Sequence, residues 1–461
     1  MSDLGLVTPV RPALTPGAEL LRLHLPSPVE DPWELLRSPL ARGRAAVAWY
    51  DPVDGRSFAA VGVALRRPAR GPRRFALADA AWSELARNTR ELGAAPDPSL
   101  PLAVSAFSFS HGMPPETWAG FDEGLWVPEL IIHSRGGRVS VALAAGLTLG
   151  EDAAMARLEA LRQTLPLAAE ALPDPSGASP VEIVDEEAGW PAWQARVLAA
   201  REALDAGRLR KVVLARSQAL RAPQGAVFDA VATAFALRER QRGCTTYLLK
   251  RSDGSGFVGA TPEELIRVSA GRLRTVALAG TRRRGAGDDD ANLAQDLLRS
   301  PKDQEEHSLV AEAIVSSLDG LARDVTLPES PEVAGFVDVQ HLRTPVEARL
   351  NEGVTPLQLL DRLHPTPAVG GLPRAEALAW LDDHEDLDRG WYAGPIGWVD
   401  SRGEGVFVVA LRSALVRGAE ATAFVGCGLV RGSEPRAEWD ETRAKLGTIL
   451  GSLRAAPVAK T

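Results

Sequence analysis

The sequence is poor in cysteine, the residue that could cross-link a fold through disulfide bonds. Only 2 of its 461 residues are cysteines, Cys244 and Cys427, which excludes a disulfide framework and leads us to expect a reducing, cytoplasmic setting. Residues Met1–Gly17 lack the apolar segment of a signal peptide, and no later stretch approaches the roughly 18 apolar residues of a membrane span. We therefore expect no membrane partner.

The sequence also lacks the motifs of several enzyme classes. It has no Walker motif, no zinc-ligand spacing and no complete dinucleotide-binding glycine fingerprint. A formal net charge of −8 argues against nucleic acid as a partner. An acidic protein can still bind an anionic small molecule through local cations or a metal ion. Composition leaves the oligomeric state open between monomer and homodimer.

Apolar patterning divides the chain near Leu165–Gly189, a segment with little periodicity that we interpret as a linker. Before this segment, short apolar runs predict strands of an antiparallel sheet at Ala45–Tyr50, Leu102–Phe109 and Val139–Ala144. These strands indicate a β-rich first part of the chain.

After Gly189 helices and strands alternate more clearly. Helices are predicted over Pro191–Ala206, from Ser300–Pro301 onward and over Pro435–Leu453, and a strand over Leu209–Ser217. The segment Val406–Val416 is apolar on both faces, which predicts a central strand.

Two cations interrupt apolar strands. Lys211 shares a strand face with Val213 and Ala215, where partial desolvation would favour a neutral amine able to act as a base; alternatively, its side chain reaches water from the strand's start. Arg412 lies within Val406–Val416, and a buried guanidinium there would need an anionic partner. That partner could be a protein carboxylate or a ligand carboxylate.

Acidic residues recur near two helix starts. Glu438, Glu441 and Lys445 share one face of the last predicted helix, and Glu306 follows the start of an earlier one. Carboxylates at such positions suit a solvated face or the helix dipole. They equally suit Mg²⁺, which prefers a few carboxylates together with water and substrate oxygens. Spacing alone does not choose between these interpretations.

Ten short segments, taken in order, resemble the chorismate-utilising enzymes, which include isochorismate, salicylate, anthranilate and aminodeoxychorismate synthases. The resemblance covers roughly residues 190–453, and its specificity comes from the shared order of segments that are individually weak. The segments begin at Lys211, Gly259, Leu278, Lys302, His341, His364, Tyr392, Val409, Gly426 and Glu438.

Two features resemble the isochorismate synthases within this family. Lys211 stands where isochorismate and salicylate synthases carry a base, which the ammonia-using members lack. Ala368 stands where members that eliminate pyruvate usually carry threonine. The resemblance thus implies Mg²⁺-dependent conversion of chorismate to isochorismate. Salicylate synthesis is the main alternative, and anthranilate or aminodeoxychorismate synthesis a more distant one. A non-catalytic binding protein on the same fold would not need Lys211, Glu263 and the carboxylates.

The resemblance also implies a role for each site residue. Lys211 would take a proton from the water that attacks ring carbon C2, and Glu263, as a neutral acid, would protonate the departing C4 hydroxyl. Glu306 and Glu441 would hold Mg²⁺, with Glu438 acting through the waters of the metal. The substrate would be bound by Gly280, Thr281, His341, Ala368, Tyr392, Arg412, Gly426, Gly428 and Lys445.

The fold that the resemblance implies is α/β, a single large domain of two stacked antiparallel sheets with helices packed outside. Residues 1–185 would contribute strands to the shared sheets, residues 186–455 would form the chorismate-binding catalytic region, and residues 456–461 would be a frayed tail. The segment interpreted as a linker would then be an excursion within one domain.

Overall fold

The structure, a computed structural model, describes residues 18–93, 96–111, 116–148, 150–170, 181–285, 287–336 and 339–457. Its strands within these ranges are β1 (Leu20–Pro26), β2 (Ala46–Asp51), β3 (Arg56–Val61), β4 (Leu65–Pro68), β5 (Thr89–Leu92), β6 (Pro101–Ala106), β7 (Gly124–Val127), β8 (Leu130–Arg135), β9 (Arg138–Gly146), β10 (Glu182–Ile183), β11 (Lys211–Arg221), β12 (Ala226–Phe228), β13 (Thr245–Lys250), β14 (Gly256–Thr261), β15 (Glu264–Ser269), β16 (Arg272–Arg283), β17 (Ala322–Thr326), β18 (Glu332–Gly335), β19 (Val339–Leu350), β20 (Gly371–Leu372), β21 (Pro395–Asp400), β22 (Gly405–Val409), β23 (Ser413–Arg417), β24 (Glu420–Leu429) and β25 (Ala455–Pro457).

Helices of the described residues pack around these strands. They are α1 (Arg74–Asn88), α2 (Glu151–Thr164), α3 (Trp190–Asp205), α4 (Ala230–Arg240), α5 (Asp288–Arg299), α6 (Pro301–Ser317), α7 (Pro356–Leu363), α8 (Arg374–His384) and α9 (Pro435–Leu450). No helix in the described ranges combines the length and the apolar character needed to span a bilayer.

Two large sheets carry the fold. The first has 13 strands in the order β10-β11-β24-β23-β14-β13-β2-β3-β8-β9-β1-β5, with β20 also paired to β11. The second has 10 strands in the order β17-β19-β16-β15-β22-β21-β6-β7-β4, with β18 beside β19. Strand β2 pairs with β13 in the first sheet and β6 pairs with β21 in the second, so an early part and a late part of the chain meet edge to edge in both sheets. The expected α/β architecture with large antiparallel sheets is confirmed.

Alternation along the strands explains how the sheets pack. Val47 and Trp49 of β2 belong to the same buried cluster as Trp398 of β21 in the other sheet. Ala46 and Ala48 belong to a second cluster, which also contains residues of α2 and α4. Because successive strand residues face opposite sides, β2 buries one face against the second sheet and the other against helices.

Most elements predicted from the apolar pattern are present with small shifts at their ends. The predicted helix Pro191–Ala206 corresponds to α3 and the predicted strand Leu209–Ser217 to β11. The helix expected from Ser300–Pro301 is α6, where the Ser300 side chain accepts a hydrogen bond from the Asp303 backbone amide. The strands expected before residue 150 correspond to β2, β6 and β9.

The prediction of one central strand over Val406–Val416 is wrong. Strand β22 ends at Val409 in the second sheet, and β23 begins at Ser413 in the first sheet. Between them Arg412 has a φ of 49°, a left-handed backbone that a continuous strand cannot contain. The apolar run therefore crosses from one sheet to the other.

Two segments differ from the expected division of the chain. Residues 456 and 457, expected in a frayed tail, belong to β25, which pairs with β12; residues 458–461 lie outside the described part. The segment interpreted as a linker contains β10, which pairs with β11, and 3₁₀ turns at Leu165–Ala169 and Glu186–Gly189. Its middle, residues 171–180, also lies outside the described part.

Candidate active site

One cavity contacts every residue that the sequence analysis selected as a site residue. Its volume is about 150 Å³. Its lining includes Lys211, Glu263, Gly280, Thr281, Glu306, His341, Ala368, Tyr392, Arg412, Gly426, Gly428, Glu438, Glu441 and Lys445. These residues come from both sheets, from α6 and α9, and from connecting loops, so the fold brings together side chains far apart in the sequence.

Lys211 is the first residue of β11, and its side chain points inward rather than to water. The residue is only 2% exposed, and its Nζ lies 2.9 Å from Oε1 of Glu306 on α6. Strand β24 pairs with β11 so that Gly428 lies opposite Val213. A Cβ on Gly428 would lie 2.9 Å from Cε of Lys211 and 3.2 Å from Oε1 of Glu306. The glycine thus leaves the room that this ion pair occupies.

Glu263 follows β14 and is buried in the cavity wall at 6% exposure. Burial raises the pKa of its carboxyl to about 7, against the opposing charges of Lys211, Lys445 and Arg412. A carboxyl with this pKa holds its proton through much of the neutral range. It therefore has the property required of a general acid.

A β-bulge shapes the cavity beside His341. The register between β16 and β19 shifts at Gly280, which has a φ of 74°. Nδ1 of His341 lies 3.2 Å from the Gly280 carbonyl oxygen and 3.0 Å from the Thr281 hydroxyl. Burial, followed by the charges of Arg412 and Lys445, holds the pKa of His341 well below its usual value, so the imidazole is neutral. Because a carbonyl oxygen only accepts hydrogen bonds, we place the imidazole proton on Nδ1.

Helix α9 supplies two carboxylates and a lysine to the cavity. Lys445 Nζ lies 2.7 Å from Oε1 of Glu441 and donates a hydrogen bond of 3.2 Å to the Gly426 carbonyl oxygen. Glu438 is 7% exposed; burial, followed by the negative charge of Glu441, raises the pKa of its carboxyl. These three residues border the cavity, and Glu441 and Lys445 remain partly exposed to solvent there.

The pKa of Glu306 moves in the opposite direction. Burial alone would raise it, but the charge and hydrogen bond of Lys211 prevail and lower it. Glu306 is therefore an anion at neutral pH, paired with a buried cation. This pairing satisfies both charges inside the cavity wall.

The chemistry of Glu306, Glu438 and Glu441 fits a hard divalent cation. Three carboxylates border one cavity, and the pKa of Glu438 is raised by burial and then by the negative charge of Glu441, a repulsion that a cation would relieve. Among the described residues no group of three possible ligands has converged around a metal position, and two of these carboxylates contact lysines instead. The donor set suits Mg²⁺, and the two ammonium groups compete with it for these carboxylates.

Arg412 and Tyr392 form another part of the cavity wall. The sequence analysis predicted that Arg412 would be enclosed in a strand, but its side chain is only half-buried. The reason is that its backbone forms the crossing between the sheets. Burial raises the pKa of Tyr392, whose phenol is therefore neutral. The Tyr392 ring stacks on Phe424 with centroids 5.5 Å apart. Arg412 and Tyr392 together present one cation and one neutral hydroxyl to a ligand.

Sequence reasoning missed Arg389, which also lines the cavity at 3% exposure. It donates hydrogen bonds to the carbonyl oxygens of Val369 (2.8 Å) and Val213 (2.6 Å), and its Nε lies 2.6 Å from Oε1 of Glu385. It thereby ties the loop that carries Ala368 to the strand that carries Lys211. The Glu-Arg spacing of four residues was the available signal, but its two carbonyl partners come together only in the fold.

Comparison with known proteins assigns the chain to a family. The family described as "Chorismate binding enzyme" matches residues 14–454. The chain belongs to this family. The match covers nearly all of the described residues, including every one of the cavity residues named above.

Two relatives with a stated activity cover most of the chain. The salicylate biosynthesis isochorismate synthase of Pseudomonas aeruginosa is 38% identical over 403 residues, which are 87% of this chain and 83% of that protein. The isochorismate synthase MenF of Bacillus subtilis is 35% identical over 341 residues, 73% of this chain and 71% of the relative.

Solved structures agree with this assignment. The menaquinone-specific isochorismate synthase MenF from Escherichia coli superposes with a TM-score of 0.76 and 25% identity, over 94% of both chains. Anthranilate synthase component I from Streptococcus pneumoniae superposes with a TM-score of 0.67 at 19% identity, covering 97% of this chain and 95% of that one. The second similarity shows the shared fold alone.

Proposed function

We propose that this enzyme is an isochorismate synthase that converts chorismate to isochorismate with Mg²⁺. The observation that carries the proposal is that one cavity is lined both by a buried lysine, Lys211, and by a carboxyl, Glu263, whose pKa is about 7. An amine that can accept a proton and a carboxyl that still holds one are what the exchange of one hydroxyl for another requires. The relatives named isochorismate synthase support the same activity.

In the proposed reaction the atoms balance without any other reactant. Lys211 first releases its ammonium proton to solvent. As a neutral amine it then takes a proton from the water whose oxygen bonds to ring carbon C2. Both ring double bonds shift, the C4–O bond breaks, and Glu263 gives its proton to the departing hydroxyl, which leaves as water. One water enters and one leaves, so the net reaction is an isomerisation. Solvent then returns the proton from Lys211 to Glu263.

The remaining cavity residues bind and orient the substrate in this proposal. Arg412, the neutral Tyr392 hydroxyl and the backbone of Gly426 and Gly428 hold the enolpyruvyl carboxylate. Lys445 lies on the side of the ring carboxylate, with Gly280, Thr281 and His341. Glu306 and Glu441 would hold Mg²⁺ and Glu438 would act through its waters; the bound metal would orient the ring carboxylate and stabilise its charge.

The proposal treats both halves of the chain as one catalytic domain, because β2 pairs with β13 and β6 pairs with β21. We also place the enzyme in a reducing cytoplasm, where the buried thiols of Cys244 and Cys427 are stable. The names of relatives connect isochorismate to salicylate and menaquinone formation. Menaquinone, a catecholate siderophore and salicylate are the three candidate destinations of the product of this enzyme.

Salicylate synthesis is the second candidate, in which isochorismate would go on to lose pyruvate. The name of the Pseudomonas aeruginosa relative mentions salicylate biosynthesis, which supports salicylate synthesis as a candidate, although that relative is itself called an isochorismate synthase. Ala368 favours release of isochorismate, because alanine adds neither the hydroxyl nor the methyl of a threonine beside the ring. Product analysis separates the two candidates.

The test is a product assay on the purified protein. We expect chorismate to give isochorismate in the presence of Mg²⁺, and EDTA to stop the reaction until Mg²⁺ is restored. Lys211→Ala and Glu263→Gln should each lower kcat by about 10²–10⁴-fold, the usual range for one acid or base, with chorismate binding still measurable. Full activity in chelator, or either variant with a near wild-type kcat, would refute the corresponding assignment.

A further inference from the structure

Two lysines occupy two of the three cavity carboxylates. Lys211 contacts Glu306 at 2.9 Å with side-chain exposures of 2% and 13%. Lys445 contacts Glu441 at 2.7 Å with side-chain exposures of 18% and 32%. A carboxylate oxygen that already bonds an ammonium group cannot also bind a metal ion fully. Each of these contacts uses Oε1 of the carboxylate, and an ammonium group so close also repels a divalent cation. The internal cations therefore oppose metal binding at this site.

The two ion pairs differ in how easily they can open. Lys211 is enclosed between Glu306 and the bare α-carbon of Gly428. Lys445 lies nearer to solvent, and its second partner is the backbone carbonyl of Gly426, which carries no charge to hold it. Moving the more exposed ammonium group incurs the smaller desolvation penalty. Lys445 is therefore the cation that can exchange its partner.

We propose that Lys445 is an exchangeable counterion that shields Glu441 from metal in the free enzyme and leaves it when the substrate arrives. The inference rests on the proposed function, since it assigns the arriving group to a substrate carboxylate. In the exchange Lys445 passes from Glu441 to that carboxylate, and Glu441 becomes free for Mg²⁺. Substrate and Mg²⁺ should then strengthen each other's binding by the same factor.

The exchange keeps every buried charge compensated. Before binding, the charge of Glu441 is compensated by Lys445. After binding, Lys445 faces the substrate carboxylate and Glu441 faces the metal. Because an unpaired buried charge is costly, each ligand supplies the charge that the other displaces. Free enzyme without substrate should consequently bind Mg²⁺ weakly.

The chain offers a matched control for the loss of one positive charge. Lys302 lines the same cavity, acts on Glu306 and Glu438 through its charge, and forms no ion pair with any described residue. Lys302→Gln removes the same charge as Lys445→Gln without releasing a carboxylate from an ammonium partner. Any effect of net charge alone appears equally in both variants.

The experiment measures Mg²⁺ binding to the full chain by calorimetry, without substrate. Lys445→Gln and Lys445→Met should each bind Mg²⁺ on the order of tenfold more tightly than wild type, and Lys302→Gln less than about twofold more tightly. Circular dichroism and thermal melting show that each variant is folded. Unchanged or weaker binding in both Lys445 variants overturns the proposal, as does an equal effect of Lys302→Gln.

A second titration tests the coupling itself. In a Glu263→Gln background, which limits turnover, chorismate should tighten Mg²⁺ binding by about tenfold or more, and adding Lys445→Gln should abolish most of that gain. An undiminished gain in the double variant would contradict the exchange. Failure of the proposed function appears separately, as absence of isochorismate in the wild-type assay, because these titrations measure binding and not product.

Discussion

The ammonium group of Lys211 and the carboxylate of Glu306 lie 2.9 Å apart, directly beside the α-carbon of Gly428. Strand β11 carries the lysine, α6 carries the carboxylate and β24 carries the glycine, so three separate elements fix this contact. The proposed base is thus positioned by a buried partner and by the absence of a neighbouring side chain.

Gly428→Ala should disturb this contact and lower kcat by on the order of tenfold or more. The new Cβ would lie 2.9 Å from Cε of Lys211, closer than packed carbon atoms approach, and overpacking of this kind costs about 1–3 kcal/mol. Steady-state kinetics of the folded variant measures the effect.

Gly447→Ala is the control for this substitution. Gly447 lies in α9 with nothing within 4 Å of its added Cβ, so alanine should raise helix stability by up to about 1 kcal/mol and leave kcat unchanged. Equal kinetics for Gly428→Ala and wild type would show that the glycine is not needed for the position of Lys211.

The raised pKa of Glu263 predicts how stability changes with pH. The folded state holds this carboxyl at a pKa of about 7, above the 4.5 of an unperturbed glutamate. Between these values the unfolded chain releases the proton and the folded chain keeps it, so stability falls as pH rises. The loss is complete above pH 7 and amounts to about 3 kcal/mol.

Glu263→Gln removes this titration. The free energy of unfolding of the variant, compared with that of wild type, should increase by about 3 kcal/mol between pH 4.5 and pH 8. Urea denaturation at several pH values measures the difference. A difference that is constant with pH would mean that Glu263 ionises in the folded protein as it does in the unfolded chain. Wild-type kcat should likewise decrease above pH 7, as the acid loses its proton.

Glu441→Gln should raise the Mg²⁺ concentration needed for activity more than Glu438→Gln does. Glu438 already has a raised pKa through burial and the charge of Glu441, so an amide there changes the charge of the site less. Glu441 is the carboxylate expected to contact the metal directly. Titration of activity with Mg²⁺ compares the two variants, and a larger rise in the Mg²⁺ requirement for Glu438→Gln would reverse the assignment.

Ala368→Thr should increase the share of turnovers that release pyruvate. A threonine would add a hydroxyl and a methyl beside the bound ring, enough to change the preferred pose by about 1–3 kcal/mol. Val369→Ala in addition would make room for it. Pyruvate and salicylate are measured against isochorismate over many turnovers. If the wild type itself releases pyruvate in proportion to chorismate consumed, the enzyme is a salicylate synthase.

The sequence predicts which residues line the cavity better than how the chain reaches it. Lys211, Glu263 and Glu441 fall in short segments whose order along the chain is specific to one family. By contrast, an apolar run such as Val406–Val416 has the same composition whether it is one strand or two. The left-handed backbone of Arg412, which divides it between the sheets, is set by tertiary packing and leaves no signal in the apolar pattern.

Contacts between distant segments are the other part that the sequence does not reveal. Arg389 owes its position to the carbonyl oxygens of Val213 and Val369, which any residue type would present. The exchangeable contact of Lys445 with Glu441 follows from helical spacing, but its place inside a cavity depends on the packing of α9 against β24. The spacing of four residues predicts that Lys445 and Glu441 are neighbours, but it does not predict that a cavity surrounds them.

The origin of the new hydroxyl tests the proposed reaction most directly. When wild-type enzyme converts chorismate in water enriched in oxygen-18, each isochorismate formed at early times should carry one solvent oxygen, located on C2. Mass spectrometry counts the label, and the isotope shift of the C2 carbon resonance locates it. Isochorismate without solvent oxygen would mean that the C4 hydroxyl had migrated to C2, and would contradict the activation of water by Lys211.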